Sequence, residues 1–192
     1  MTGEPSTPRR PSVAEERAAA QERQRIERAE RREQLASRFG SGPLPGAGLI
    51  WASWIGTAIF AVSALYSSTI GYDAHRSPPG DQSGTIVALL LFGIGCVLFV
   101  VALALGALRS RDAQMGIGGW FFLVGSAPRV VQRHLLGSLA VEVTVALVTA
   151  AARPFSTLAF GILVPTYGLA ICGIWGARHG DFPPAAEPEA RR

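Results

Sequence analysis

One carboxylate, Glu142, interrupts the apolar stretch from His134 to Arg153. On a helix advancing about 100° per residue, His134, Ser138, Glu142, Thr149 and Arg153 follow at spacings of four, four, seven and four and share one narrow face. The other faces are Leu, Val and Ala, the pattern of a membrane helix whose polar seam must point at protein rather than lipid. An acidic side chain at the centre of such a helix costs about 2.5 to 3.5 kcal/mol on insertion scales, so it needs an interior partner or a role. Two chemistries fit. The carboxyl could be protonated or hydrogen-bonded and tie helices together, or it could couple protons or bind a substrate.

A partner can be sought by depth. At 1.5 Å per residue Glu142 lies about 10 Å in from one end of its helix, and Tyr167 about 15 Å in from the opposite end of the next. In a core of about 30 Å the two levels differ by about one helical turn. Tyr167 or Thr166 is therefore expected to supply a hydroxyl to Glu142. Further chemistry is sparse: the sequence has no Gly-rich phosphate loop, nucleophile elbow, paired carboxylates or Cys/His cluster at metal-ligand spacing. Asp73 and His75 share a Pro-containing loop that reads as an ordinary turn. No catalytic residue, cofactor or metal is expected.

The elements that must position the seam are apolar and long. Nearly half of the 192 residues are hydrophobic (48%), and they fall in runs too long for an ordinary soluble domain. Four membrane spans are expected, at about 47–70, 85–108, 135–152 and 157–177, forming an all-α four-helix transmembrane bundle over 47–177. Trp51 and Trp54 near the first start suit an interface. In the second, Gly93, Ala102 and Gly106 are small enough for a close neighbour. In the fourth, Gly161, Gly168, Cys172 and Gly176 form a small-residue packing face, and Pro165 near its middle predicts a kink. A turn of three residues makes the third and fourth spans adjacent and antiparallel.

Flanking these are a Pro- and Arg-rich disordered tail (1–11), a charged cytoplasmic helix (12–40), a Gly/Pro linker (41–46) and a disordered cytoplasmic tail (178–192). Ser12 and Glu15 stand at capping-box spacing. The charged helix lacks a sustained apolar stripe and is expected to fold apart from the bundle. With no h-region in the first forty residues, insertion is expected to begin at the first span.

Residues 115–127 are uncharged but short and rich in Gly. Arginine decides their placement. If they stay in the interface as a shallow re-entrant turn, sixteen of the eighteen Arg lie on one side and only Arg76 and Arg153 on the other; if they cross, the division is twelve to six. The first fits the positive-inside rule far better and puts both termini in the cytoplasm. It also accounts for the net charge of +4 without nucleic acid, and Glu22, Glu27, Glu30 and Glu33 dilute the basic field of the first helix. All basic residues are Arg, with no Lys or Asn anywhere, which reads as a GC-rich bacterial coding bias.

The run Leu158 to Pro184, LAFGILVPTYGLAICGIWGARHGDFPP, resembles the closing segment of small, uncharacterised integral membrane proteins of actinobacterial type. The resemblance covers 27 residues, implies a membrane location and carries no activity or site residue with it. Drug transporters of the small multidrug-resistance type also use one membrane Glu, but in the first helix of a much shorter chain. The expected function is that of a non-enzymatic accessory or scaffold protein of a bacterial cell membrane, with the bilayer, a membrane-protein partner or a second copy as its contacts. A small proton-coupled transporter or channel using Glu142 is the alternative.

Overall fold

The computed structural model describes residues 13–40, 44–69, 79–152 and 156–185. The expected tail 1–11, the capping Ser12, the loop around Asp73 and His75, the turn at Arg153 and the last seven residues lie outside this range. The described residues form α1 (Val13–Phe39), α2 (Ala47–Thr69), α3 (Pro79–Arg109), α4 (Ile117–Trp120), α5 (Arg129–Ala152), a 3-10 helix (Thr157–Leu163) and α6 (Pro165–His179), with one isolated β-bridge between Ala113 and Pro184. Four helical stretches are long and apolar enough to cross a membrane: Ala47–Thr69, Ser83–Arg109, Arg129–Ala152 and Thr157–His179.

Prolines punctuate these helices where their missing N–H is harmless. Pro79 and Pro165 stand first in α3 and α6, and Pro128 precedes α5, its carbonyl taking the first helical bond from Gln132. This corrects two expectations. The third apolar helix begins at Arg129, so the stretch before Leu135 belongs to it. The fourth is not an α-helix kinked in its middle by Pro165. Its first 7 residues are 3-10, with bonds such as Val164 N–H to Gly161 O (3.1 Å), and Pro165 opens the longer α-helical part.

The four long helices stand in the cyclic order α2, α3, α6, α5, with α3 and α5 diagonal and α6 packed most extensively on α3. Connections alternate in direction, so α2 and α5 run parallel. Glycines set the closest approaches. An atom at the Cβ position of Gly95 would fall 2.8 Å from the backbone nitrogen of Tyr167, so α3 and α6 meet backbone to backbone there. Gly93, expected to admit a close neighbour, faces open space. The exterior is apolar: Ile86, Leu90, Val97, Val100 and Leu103 of α3 point outward, as do Ile55, Ile59 and Val62 of α2.

At the end holding the α2 start and the α3 and α6 termini, the connecting segments are built into the fold. Trp120 donates its indole N–H to Gly173 O (2.9 Å) and packs on Gly106 and Gly176. Phe121 stacks on Phe99 with centroids 5.5 Å apart. The turn that follows is held by Leu123, fully buried at φ 58°, and by Gly125 at φ 71°. A left-handed Leu costs about 1 to 2 kcal/mol, which its burial offsets. The segment thus inserts as a wedge between α3 and α6 rather than resting on the surface.

Residues 180–185, expected in an unfolded tail, are ordered. Asp181 N–H donates to Ser126 O (2.8 Å), Gln114 N–H to Pro183 O (2.9 Å) and Ala185 N–H to Asp112 O (3.0 Å). Arg109 gathers the α6 terminus, donating to the carbonyls of Ala177 (2.8 Å), Arg178 (3.1 Å) and Gly180 (2.6 Å), a cation placed where the helix dipole is negative. Nor is α1 detached. Its Leu35 is buried, and Arg31 donates to Gly125 O (2.9 Å) and Asp181 O (3.2 Å).

Candidate functional site

Two turns of α2 and two turns of α5 face each other with matching polar residues. Ser53 and Thr57 on α2 and Ser138 and Glu142 on α5 are each four apart, so each pair lies on one face of its helix. Because the helices run parallel, the pairs meet rung to rung. Ser53 Oγ and Ser138 Oγ are 2.6 Å apart, and Thr57 Oγ1 lies 2.9 Å from Glu142 Oε1. All four side chains are buried, with Ser53, Ser138 and Glu142 at 0% exposure.

Counting protons orders the hydrogen bonds. Ser138 donates to Leu135 O of its own helix (2.9 Å), which leaves the Ser53 hydroxyl to donate to Ser138. Thr57 has one hydroxyl proton and two acceptors at 2.9 Å, Ser53 O and Glu142 Oε1. A proton on the Glu142 carboxyl satisfies both: Glu142 donates to Thr57, and Thr57 donates to Ser53 O. Without it, Thr57 must leave its own helix carbonyl to serve the carboxylate. Glu142 Oε2 lies outside the pairing with Thr57 and abuts the backbone of Gly168 of α6, where a Cβ would fall 2.5 Å from it. Gly168 is therefore the residue that makes room for the carboxyl.

The expected partners are displaced. Tyr167 donates to Ala52 O of α2 (2.8 Å), its ring lying on Gly56, so its hydroxyl is spent one turn below Glu142. Thr166, half-buried, makes no hydrogen bond with Glu142; its backbone lies against Gly95. Thr149 is buried on the same face of α5 but bonds its own helix, at Val145 O (2.8 Å) and Ala146 O (3.2 Å). His134 is exposed and stands apart from the seam. The partner that was missed is Thr57, and its signal was present: Ser53 and Thr57 repeat the spacing of Ser138 and Glu142 on a helix that four-span topology makes parallel.

The small-residue face of the last helix serves several neighbours. A Cβ on Gly161 would stand 3.2 Å from the Phe60 ring of α2, Gly168 meets Glu142 and Leu139 of α5, and Gly176 meets Trp120 of α4. Cys172 is fully buried between them as a free thiol, and Cys96 is free as well. Gly173, unremarked in the sequence, admits Phe121 at 2.6 Å from its Cβ position. Among the described residues no three His, Cys, Asp or Glu side chains cluster as a metal site. Chemically, the seam ties α2 to α5 through two polar rungs, Ser53 with Ser138 and Thr57 with Glu142. No protein-family model matches the chain, and no curated protein or solved structure matches it.

Proposed function

We propose that the chain is a four-span protein of a bacterial cell membrane, with both termini cytoplasmic, acting as a non-enzymatic scaffold or accessory subunit of an envelope or transport assembly. Its inverted polarity supports the membrane location: apolar side chains cover the long helices outside, while Ser53, Thr57, Ser138 and Glu142 pair within. The division of arginine supports the orientation. On this reading α1 is a charged cytoplasmic arm, latched at Arg31 and Leu35 and exposed along most of its remaining described length, free to recruit a partner through its alternating Glu and Arg.

The observation that carries the scaffold reading is that Glu142 is fully buried, bonded to Thr57 and packed against Gly168. Such a carboxyl works as a tie between α2, α5 and α6. Purification of the tagged chain in mild detergent, followed by mass spectrometry, tests it: a stoichiometric larger partner is expected. The second reading, a proton-coupled transporter or channel, draws on Oε2, a buried carboxyl oxygen that takes no part in the pairing with Thr57. A homodimer whose ligand binding depends on pH, and proton flux into liposomes lost in a folded Glu142→Gln variant, would establish that reading instead.

A further inference from the structure

Between α1 and the wedge lies a cavity of about 420 Å³, bordered by Arg31 and Leu35 of α1, Val124 and Ala127 of the turn, and Arg129 and Gln132 of the first turn of α5. None of the described residues lining it is acidic. Arg31 is held in place by the carbonyls of Gly125 and Asp181, and Gln132 by Phe122 O (3.2 Å). The cationic wall is thus preorganised, and Arg129, exposed, lines the same opening. Apolar side chains border the same place: Phe122, Val124 and Val130 are 47%, 64% and 49% exposed. Arg129 is the first residue of a helix long and apolar enough to span a bilayer.

We infer that this cavity binds the headgroup of an anionic phospholipid, with the phosphate between Arg31 and Arg129 and the acyl chains along Phe122, Val124 and Val130. Two planar guanidinium groups lining one opening match a phosphodiester. The exposed apolar rim selects a lipid over a free anion, since a soluble phosphate would gain nothing from Val124 or Phe122. The inference rests on the membrane reading above.

The test uses the full chain in nanodiscs of phosphatidylcholine containing a minority of phosphatidylglycerol, with retained lipids counted by native mass spectrometry after release into neutral detergent. Each arginine near a membrane surface contributes about fivefold to anionic-lipid attraction. The ratio of phosphatidylglycerol to phosphatidylcholine among retained lipids should therefore exceed that of the bilayer at least about fivefold, and Arg129→Gln should lower that ratio about fivefold. Arg129→Lys should keep only part of the enrichment, since the ammonium retains the charge but not the guanidinium fork, and Arg111→Gln, exposed and outside the cavity, should lower it less than Arg129→Gln. Absence of enrichment in the wild type, or enrichment unchanged in Arg129→Gln, overturns the site. Displacement of the lipid by millimolar inorganic phosphate assigns the cavity to a soluble anion and overturns the lipid assignment. Alkaline washing of native membranes separates the two levels: release of the chain refutes the membrane reading itself, whereas retention without enrichment refutes the lipid site alone.

Discussion

Replacing Gly168 by Ala should destabilise the bundle only while Glu142 is present. The added methyl would stand 2.5 Å from Glu142 Oε2 and 3.2 Å from Leu139 Cδ1. The carboxyl cannot swing freely, because its other oxygen is held by Thr57 at 2.9 Å. Overpacking of this kind costs about 1 to 3 kcal/mol, against about 1 kcal/mol gained in helix propensity on replacing Gly by Ala. The net effect of Gly168→Ala in the wild type is therefore a loss of about 0 to 2 kcal/mol. In a Glu142→Ala background the carboxyl is gone and only Leu139 must shift by a few tenths of an ångström, so the same change should be neutral or stabilising by up to about 1 kcal/mol. The coupling, about 1 to 3 kcal/mol, is what the steric argument predicts. Four proteins unfolded by heat or by increasing denaturing detergent in mixed micelles complete the cycle. Equal effects of Gly168→Ala in both backgrounds would refute the contact between Glu142 and α6, and with it the role assigned to the carboxyl as a tie.

Removing the carboxyl alone tests the α2–α5 rung: Glu142→Leu should cost about 0.6 to 1.7 kcal/mol, from the average to the largest value for hydrogen bonds between membrane helices, while Glu142→Gln keeps a partner for Thr57 and should cost less. A Leu variant as stable as the wild type would remove the structural role. In a background lacking Cys96 and Cys172, Thr69→Cys should react with an impermeant maleimide in intact cells while Ser37→Cys and Ser110→Cys should not; labelling at Ser110 would overturn the four-span orientation. Arg109→Ala should lower the thermal midpoint through loss of three charge-assisted hydrogen bonds to the α6 terminus, each worth about 1.5 to 3 kcal/mol when buried and less at this half-exposed edge, and Arg109→Lys should recover only part, because a single ammonium cannot reproduce the guanidinium fork. Arg31→Ala should expose α1 to limited proteolysis while the four long helices remain protected; protection of α1 equal to the wild type would show that Leu35 alone holds it.

The polar seam shows where sequence stops and tertiary structure begins. Periodicity alone placed Ser138, Glu142 and Thr149 on one face of one apolar helix, because burial imposes the 3.6-residue repeat on every side chain the helix must hide. Length and hydropathy likewise sufficed for four helices able to cross a bilayer, since their backbone hydrogen bonds are local and the requirement is one of span. The choice of partner was a different kind of question. Depth along the helix axis favoured Tyr167, but depth does not say which helix stands opposite. That depends on the cyclic order of the bundle, which sets α2 beside α5 and turns Thr57 to Glu142 while Tyr167 reaches Ala52.

The same holds for the small residues. A stripe of Gly161, Gly168, Cys172 and Gly176 announces close packing, yet its three glycines each meet a different neighbour: Phe60, Glu142 and Trp120. The wedge and the chain after His179 were beyond local rules for a further reason. Their order comes from hydrogen bonds between Asp181 and Ser126, Pro183 and Gln114, and Ala185 and Asp112, each spanning more than fifty residues, and from Arg109 and Arg31 reaching backbone carbonyls far away in the chain. Composition can report that such a segment is rich in Gly and Pro and cannot fold by itself; only the assembled bundle supplies the surface on which it no longer has to.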